Sequence, residues 1–208
     1  LKAIYDVAGQ ENIDKVVIHY SIGNGYYFTM KGGTDLTQEF IDQVKARMHK
    51  IVDANLPILK RSVATDEAVA LFRKHHMYDK ERLFNYRLGS KVNLYSIESF
   101  EDYFYGFMAN HTGYIRKFDL VLYEGGFVLL LPDKKEPDKI AEFRPQEKIF
   151  HVQRESQEWG NKLEISTVGD LNDKITKGGI QDILLIQEAL QESKISEIAS
   201  KIASAGNK

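Results

Sequence analysis

Two glycine turns constrain this chain more than any other feature. Val16-Val17-Ile18-His19-Tyr20 and Tyr26-Tyr27-Phe28 are β-rich runs parted by Gly23-Asn24-Gly25. Phe118-Asp119-Leu120-Val121-Leu122-Tyr123 and Phe127-Val128-Leu129-Leu130-Leu131 are two more, parted by Glu124-Gly125-Gly126. Turns this short join strands only as antiparallel hairpins, and glycine supplies the positive φ they require. Val92-Asn93-Leu94-Tyr95 and residues 58–63 read as further short strands.

Helical periodicity fills the intervals. Leu1, Ile4, Tyr5 and Ala8 recur at helical spacing up to Gly9. Thr37 is a good N-cap and Glu39 suits the positive end of the helix dipole. Phe40, Ile41, Val44, Met48, Ile51 and Val52 then form one apolar stripe, predicting a helix over 37–54 that Pro57 stops. Shorter helices are expected over 66–74, with Ala68, Leu71 and Phe72 inward, and from an Asp79 cap through Tyr86. After Lys139 the texture turns helical, with segments over 145–162, 168–177, 180–191 and 194–204. Strands and helices mix without regular β-α alternation, so the fold class is α+β: an antiparallel sheet with packed helices, followed by a helical C-terminal segment. Pro132, Pro137 and Pro145 bracket a charged stretch, and the soft boundary at 132–144 divides the chain into 1–131 and 132–208.

Composition excludes several chemistries. The 208 residues contain no cysteine, which removes disulfides, thiolate nucleophiles and sulfur-bound zinc. A reducing, cytoplasmic setting is expected. The net charge of −2 gives no basic field to draw in nucleic acid, so RNA binding must rest on a local patch. The longest apolar run, 127–131, is far below the roughly 20 residues of a membrane span, and no membrane association is expected. The chain starts at Leu1, already in a helical pattern, as a trimmed fragment does.

Ile22-Gly23-Asn24-Gly25-Tyr26-Tyr27-Phe28, the helix from Asp35-Leu36-Thr37-Gln38-Glu39 to Lys45-Ala46-Arg47-Met48, and Glu101-Asp102-Tyr103-Phe104-Tyr105-Gly106-Phe107-Met108 resemble, in that order, three motifs of threonyl-tRNA synthetase editing domains. The resemblance covers about residues 1–131. Three further stretches resemble bacterial uridine kinase-like proteins, in which an editing-like region precedes a phosphoribulokinase/uridine kinase domain: 112–120 (Thr112-Gly113-Tyr114-Ile115-Arg116-Lys117-Phe118-Asp119-Leu120), Val168-Gly169-Asp170-Leu171-Asn172 and Glu188-Ala189-Leu190-Gln191-Glu192. This second resemblance implies a non-catalytic accessory region whose parent is a nucleoside kinase. ATP and Mg2+ are then implied for the parent kinase domain, no cofactor for this region, and that kinase domain, RNA or a nucleotide as partner.

The departures bear on function. Synthetase editing sites use His-x-x-x-His on the first helix and Cys-x-x-x-His near the end of the sheet. The second helix histidine falls here at Lys2, the cysteine at Phe104 and the later histidine at Met108. An ammonium, a phenyl ring and a thioether do not make a zinc site, so no metal is expected. Phosphoryl transfer of the kinase type needs Gly-x-x-x-x-Gly-Lys-Ser/Thr, and no such loop occurs in residues 1–208. The expected pocket residues at the degenerate site are Lys2, His19, Tyr20, Phe104, Met108, His111 and Arg116.

Other features have bland readings beside functional ones. His75-His76, adjacent on a helix, diverge by about 100° and do not share an ion. His111 stabilises a turn or contacts an anion; His19 packs in the core or lines the pocket. Glu98, Glu101 and Asp102 lack a nucleophile or metal to serve. The aromatic run Tyr103, Phe104, Tyr105, Phe107 reads first as cross-strand packing and second as a base-stacking surface. Arg116-Lys117 and Lys134-Lys135 read as solvated surface, and Trp159 as a packing anchor. Two rival functions stay open: a deacylase acting on mischarged tRNA, and an interaction module using the 145–204 helices.

Overall fold

The computed structural model describes residues 1–140 and 142–206. Ala141, within the expected boundary stretch, and Asn207 and Lys208, at the end of the expected C-terminal segment, lie outside the described residues. The fold is α+β, with two antiparallel sheets and a helical C-terminal segment.

The first sheet has the order β1-β2-β7-β6. Both glycine turns close its hairpins: β1 (Ile13–Ile22) with β2 (Gly25–Gly32), and β6 (Asp119–Tyr123) with β7 (Gly126–Leu130). The central β2–β7 pairing places Phe28 opposite Phe127, and these rings stack at 5.1 Å. Alternation along the strands sorts residues to two faces. Phe28, Leu120 and Phe127 meet helices α1 (Lys2–Ala8) and α2 (Gln38–Asp53), against Ile4, Phe40, Ile41, Val44 and Ile51. Tyr27, Val128 and Leu130 face the other way, onto Phe150 of α5 (Glu147–Lys162). The sheet is therefore covered on both faces, and α5 shares its core.

Helix α2 starts as its sequence dictates: the Thr37 hydroxyl accepts a hydrogen bond from the Phe40 N–H at 3.1 Å. Burying each of Phe40, Ile41, Val44 and Ile51 contributes roughly 1.5–3 kcal/mol before the entropy cost of folding.

The second sheet has the order β3-β4-β5, formed by Leu59–Ala64, Lys91–Ile97 and Phe100–Tyr103. Helices α3 (Thr65–Lys74) and α4 (Tyr78–Phe84) cover it through Ala68, Phe72 and Phe84. Helix α6 (Val168–Thr176) carries a Thr167–Asp170 capping box and docks on α4, where Arg82 pairs with Asp170 and the Tyr86 hydroxyl donates to Asp173.

Three expectations need correction. Asp79 does not cap α4: Met77 holds that position, while Asp79 lies in the first turn, 3.3 Å from Lys15. The segments 180–191 and 194–204 are one helix, α7 (Ile180–Ala205), because its apolar pattern lapses at Gln191–Lys194 but no glycine or proline interrupts the backbone. The aromatic run is not packed as a set. Tyr103 meets Phe84 edge-on at 4.9 Å, but β5 ends there and Phe104, Tyr105 and Phe107 lie exposed on the loop beyond. Trp159 is half-buried under the Lys162 ammonium, 4.6 Å from its ring.

Candidate functional site

The first turn of α1 and the β4–β5 turn meet around Lys2. Its side chain is only 7% exposed, and its Nζ lies 3.1 Å from Asp6 Oδ1 and 2.8 Å from Glu98 Oε2. Arg47 on α2 completes the cluster, with Nε 2.8 Å from Asp6 Oδ2 and a guanidinium nitrogen 3.7 Å from Glu98. Two cations thus balance two carboxylates. Burial alone would lower the Lys2 pKa, but hydrogen bonds to Glu98 and Asp6 outweigh it and raise it above the ordinary lysine value. At neutral pH this amine has no lone pair to offer a metal or a proton.

Lys2 also lines a cavity of about 230 Å³ between α1, α2 and the first sheet. Met108 and Ile115 stand in its wall, with Phe28, Val44 and Phe127. Thr112 is the other polar lining residue, and its hydroxyl is occupied in both directions: it donates to the Ile51 carbonyl at 2.7 Å and accepts from the Leu56 N–H at 3.0 Å. The remaining lining side chains are hydrocarbon or thioether. Such a cavity selects by shape and apolar contact; among the described residues its lining side chains offer no free nucleophile or base.

Of the seven expected pocket residues, Lys2 and Met108 come together here. Phe104 is not in the cavity wall; it packs edge-on to Tyr95 at 6.3 Å, half of it in solvent. His111 stacks on Tyr114 at 4.1 Å, its Nδ1 buried without a hydrogen-bond partner among the described residues. Arg116 is exposed, immediately after Ile115.

His19 and Tyr20 lie on the opposite face of the sheet, beneath α5. The His19 Nε2 is 2.6 Å from the Thr29 hydroxyl, and its Nδ1 meets Gln157 of α5. Tyr20 packs against Tyr27 and Phe150. These sequence neighbours reach one face because the β1–β2 register breaks between Ile18 and Ser21. Burial lowers the His19 pKa and raises that of Tyr20, whose hydroxyl is buried without a partner among the described residues.

Asp6 and Arg47 were missed by sequence reasoning. The i, i+4 spacing of Lys2 and Asp6 was the available signal; nothing local pointed to Arg47. Glu98, Glu101 and Asp102 are all engaged, with Lys2, Arg61 and Lys80 respectively. His75 and His76 diverge, one to Gln10 and the other to the Tyr78 hydroxyl. The residues at the degenerate metal positions do not fit a zinc ion: one is a salt-bridged ammonium, one a thioether, and one a ring outside the cavity.

No protein-family model matches the chain. It is 32% identical over 128 residues to a threonine–tRNA ligase of Thermotoga maritima, a match covering 61% of this chain and 19% of that protein. Threonine–tRNA ligases of Nitratidesulfovibrio vulgaris and Fusobacterium nucleatum are 31% and 30% identical over 113 and 115 residues, each match covering 54% of this chain and 18% of theirs. None of these relatives is a nucleoside kinase, so the kinase parentage gains no support from them. The chain is similar to one part of the threonine–tRNA ligases, and its match spans about a fifth of the length of these relatives.

Proposed function

We propose that this chain is a recognition module for the aminoacyl end of tRNA, of the threonyl-tRNA synthetase editing type, which binds in the Lys2–Met108 cavity without catalysing hydrolysis. The observation that carries this reading is the state of Lys2. It lines the cavity at a position where the resemblance implies a metal-binding histidine, yet its ammonium is tied to Asp6 and Glu98. Activating a water requires a free base or a metal-bound hydroxide. A salt-bridged amine and a doubly engaged threonine supply neither. An apolar wall can still hold a small side chain by contact, and the relatives, named as threonine–tRNA ligases, point to tRNA as the ligand class.

The test is to incubate the purified chain with threonine-accepting tRNA, uncharged and mischarged with serine, and to measure retention and deacylation together. The expected result is retention of acylated tRNA, weakened by Met108→Trp at the cavity, with ester loss at the uncatalysed rate. Faster deacylation that Lys2→Met abolishes would replace the binding reading with a deacylase. Failure to retain tRNA in any form would sink both.

A further inference from the structure

The loop that follows β5 has a property the cavity does not explain. Phe104, Tyr105 and Phe107 are 49%, 84% and 92% exposed, within four consecutive residues. Single exposed apolar residues are ordinary, but three large exposed rings within one short loop are of the kind that marks a binding surface.

The loop is tied down at its bend and at its far end. The Tyr95 hydroxyl donates to the Gly106 carbonyl at 2.7 Å. The Asn110 carbonyl accepts from the Ile58 N–H and the Thr112 N–H donates to the Leu56 carbonyl, each at 2.9 Å. Gly106 has φ +125°, a conformation that L side chains rarely adopt, so the bend presenting Tyr105 and Phe107 depends on glycine there. The rings are held out, not left loose.

Charge around the loop is one-sided. The nearby carboxylates are consumed, Glu98 by Lys2, Glu101 by Arg61 and Asp102 by Lys80. The Lys60 ammonium sits over the Phe107 ring, 5.5 Å from its centre. Arg116 and Lys117 follow Ile115, which shares the cavity wall with Met108. Among the described residues none of Lys60, Arg116 and Lys117 pairs with a carboxylate. Exposed rings, one of them beneath an unpaired ammonium, match a single nucleic-acid strand, whose bases stack and whose phosphates meet the positive charge.

We propose that Phe104, Tyr105 and Phe107, with Lys60, Arg116 and Lys117, form a stacking platform for an unpaired RNA end, leading it to the cavity wall at Met108. As a path into the cavity this rests on the tRNA-end reading above; as an RNA-binding surface it stands alone. It gives a chain of net negative charge the local patch that RNA binding requires.

The test is fluorescence anisotropy with a labelled RNA hairpin carrying a short unpaired 3′ extension, the same hairpin blunt-ended, and uncharged tRNA. Replacing Phe104, Tyr105 and Phe107 by alanine is expected to weaken binding of the extended hairpin at least about tenfold and leave the blunt one unchanged. Because Phe104 also touches Tyr95, the Tyr105→Ala/Phe107→Ala pair, both largely in solvent, provides the same reading without disturbing Tyr95. Replacing Lys60, Arg116 and Lys117 by alanine is expected to flatten the salt dependence by about 2 in log–log slope, at ~0.7 per phosphate contact. The platform is overturned if the wild-type chain does not prefer the extension, or if the aromatic variants bind it as tightly as wild type. Unchanged RNA binding with loss of self-association in the aromatic variants makes the surface a protein interface instead. Wild-type chain that binds the extended hairpin but not tRNA keeps the platform and sinks the tRNA reading; equal tRNA binding by wild type and variants does the reverse.

Discussion

The Lys2 ammonium lies 2.8 Å from the Glu98 carboxylate, and this contact joins two layers that share no strand. Lys2 begins the helix on the four-stranded sheet, while Glu98 sits in the turn between two strands of the other sheet. Asp6 and Glu98 each serve both Lys2 and Arg47, but Asp6 is 25% exposed and Glu98 49%. Asp6→Asn is therefore expected to cost about 1–2 kcal/mol, and Glu98→Gln less than about 1 kcal/mol, since exposed ion pairs are screened. Urea denaturation of both variants checks the order; equal losses would show that the difference in burial does not set the worth of the two carboxylates.

Alkali should act through a second buried group. Burial pushes the Tyr27 hydroxyl up to about 12, and that hydroxyl donates to the Glu124 carbonyl at 3.0 Å. Between pH 10 and 12 the unfolded chain loses this proton and the folded chain keeps it, so the folded state binds more protons and stability falls as pH rises. The loss from this group is on the order of 2–3 kcal/mol across that window. The raised pKa of Lys2 acts in the same direction, above the ordinary lysine range. Tyr27→Phe should start about 1 kcal/mol less stable at pH 8 and decline less steeply. Parallel declines of variant and wild type in urea midpoints would refute the assignment.

Acid acts oppositely on His19. Its folded pKa is lowered by burial, so as pH falls through the ordinary histidine value near 6.5 the unfolded chain takes up a proton before the folded chain does. Its contribution is present above pH ~6.5 and lost below it. Stability should drop between pH 7.5 and 5, and His19→Gln should remove that component. Thermal melts of the two proteins at both pH values measure the difference; an unchanged drop in the variant assigns it elsewhere.

Local patterns carried much of the fold. The β6–β7 hairpin, its two-residue alternation and the Thr37 cap were all written within a few residues of where they act. The placement of His19 and Tyr20 was not, because a register break between Ile18 and Ser21 turns them onto the α5 face, and a register exists only once β1 pairs with β2. The motif resemblance pointed to Lys2 and Met108, which line one cavity. Arg47, forty-one residues from Asp6, was not legible, since its role exists only once α1 lies on α2. The aromatic run misled because β propensity is the same for a packed ring and an exposed one; only the end of β5 at Tyr103 separates them.

Helices α5 and α7 carry different loads. Phe150 on α5 is 1% exposed, with its ring 5.1 Å from Tyr27 and 4.9 Å from Tyr123. Phe150→Ala is expected to cost about 3–5 kcal/mol. Helix α7 has 26 residues and none is buried; Ile195, Ile198 and Ile202 all face solvent, and Lys194 reaches α5 through Glu155 at 2.7 Å. An exposed ion pair contributes about 1 kcal/mol at most, so truncation after Gly179 should leave the urea midpoint nearly unchanged. The same physics predicts early amide exchange along α7, beside slow exchange in β2 and β7, because a helix without tertiary burial depends on its own marginal propensity. Hydrogen exchange followed by mass spectrometry reads both at once. Strong protection of α7 in the dilute chain, lost together with a fall in sedimentation coefficient on truncation, would mean that its isoleucine face is covered by a second copy.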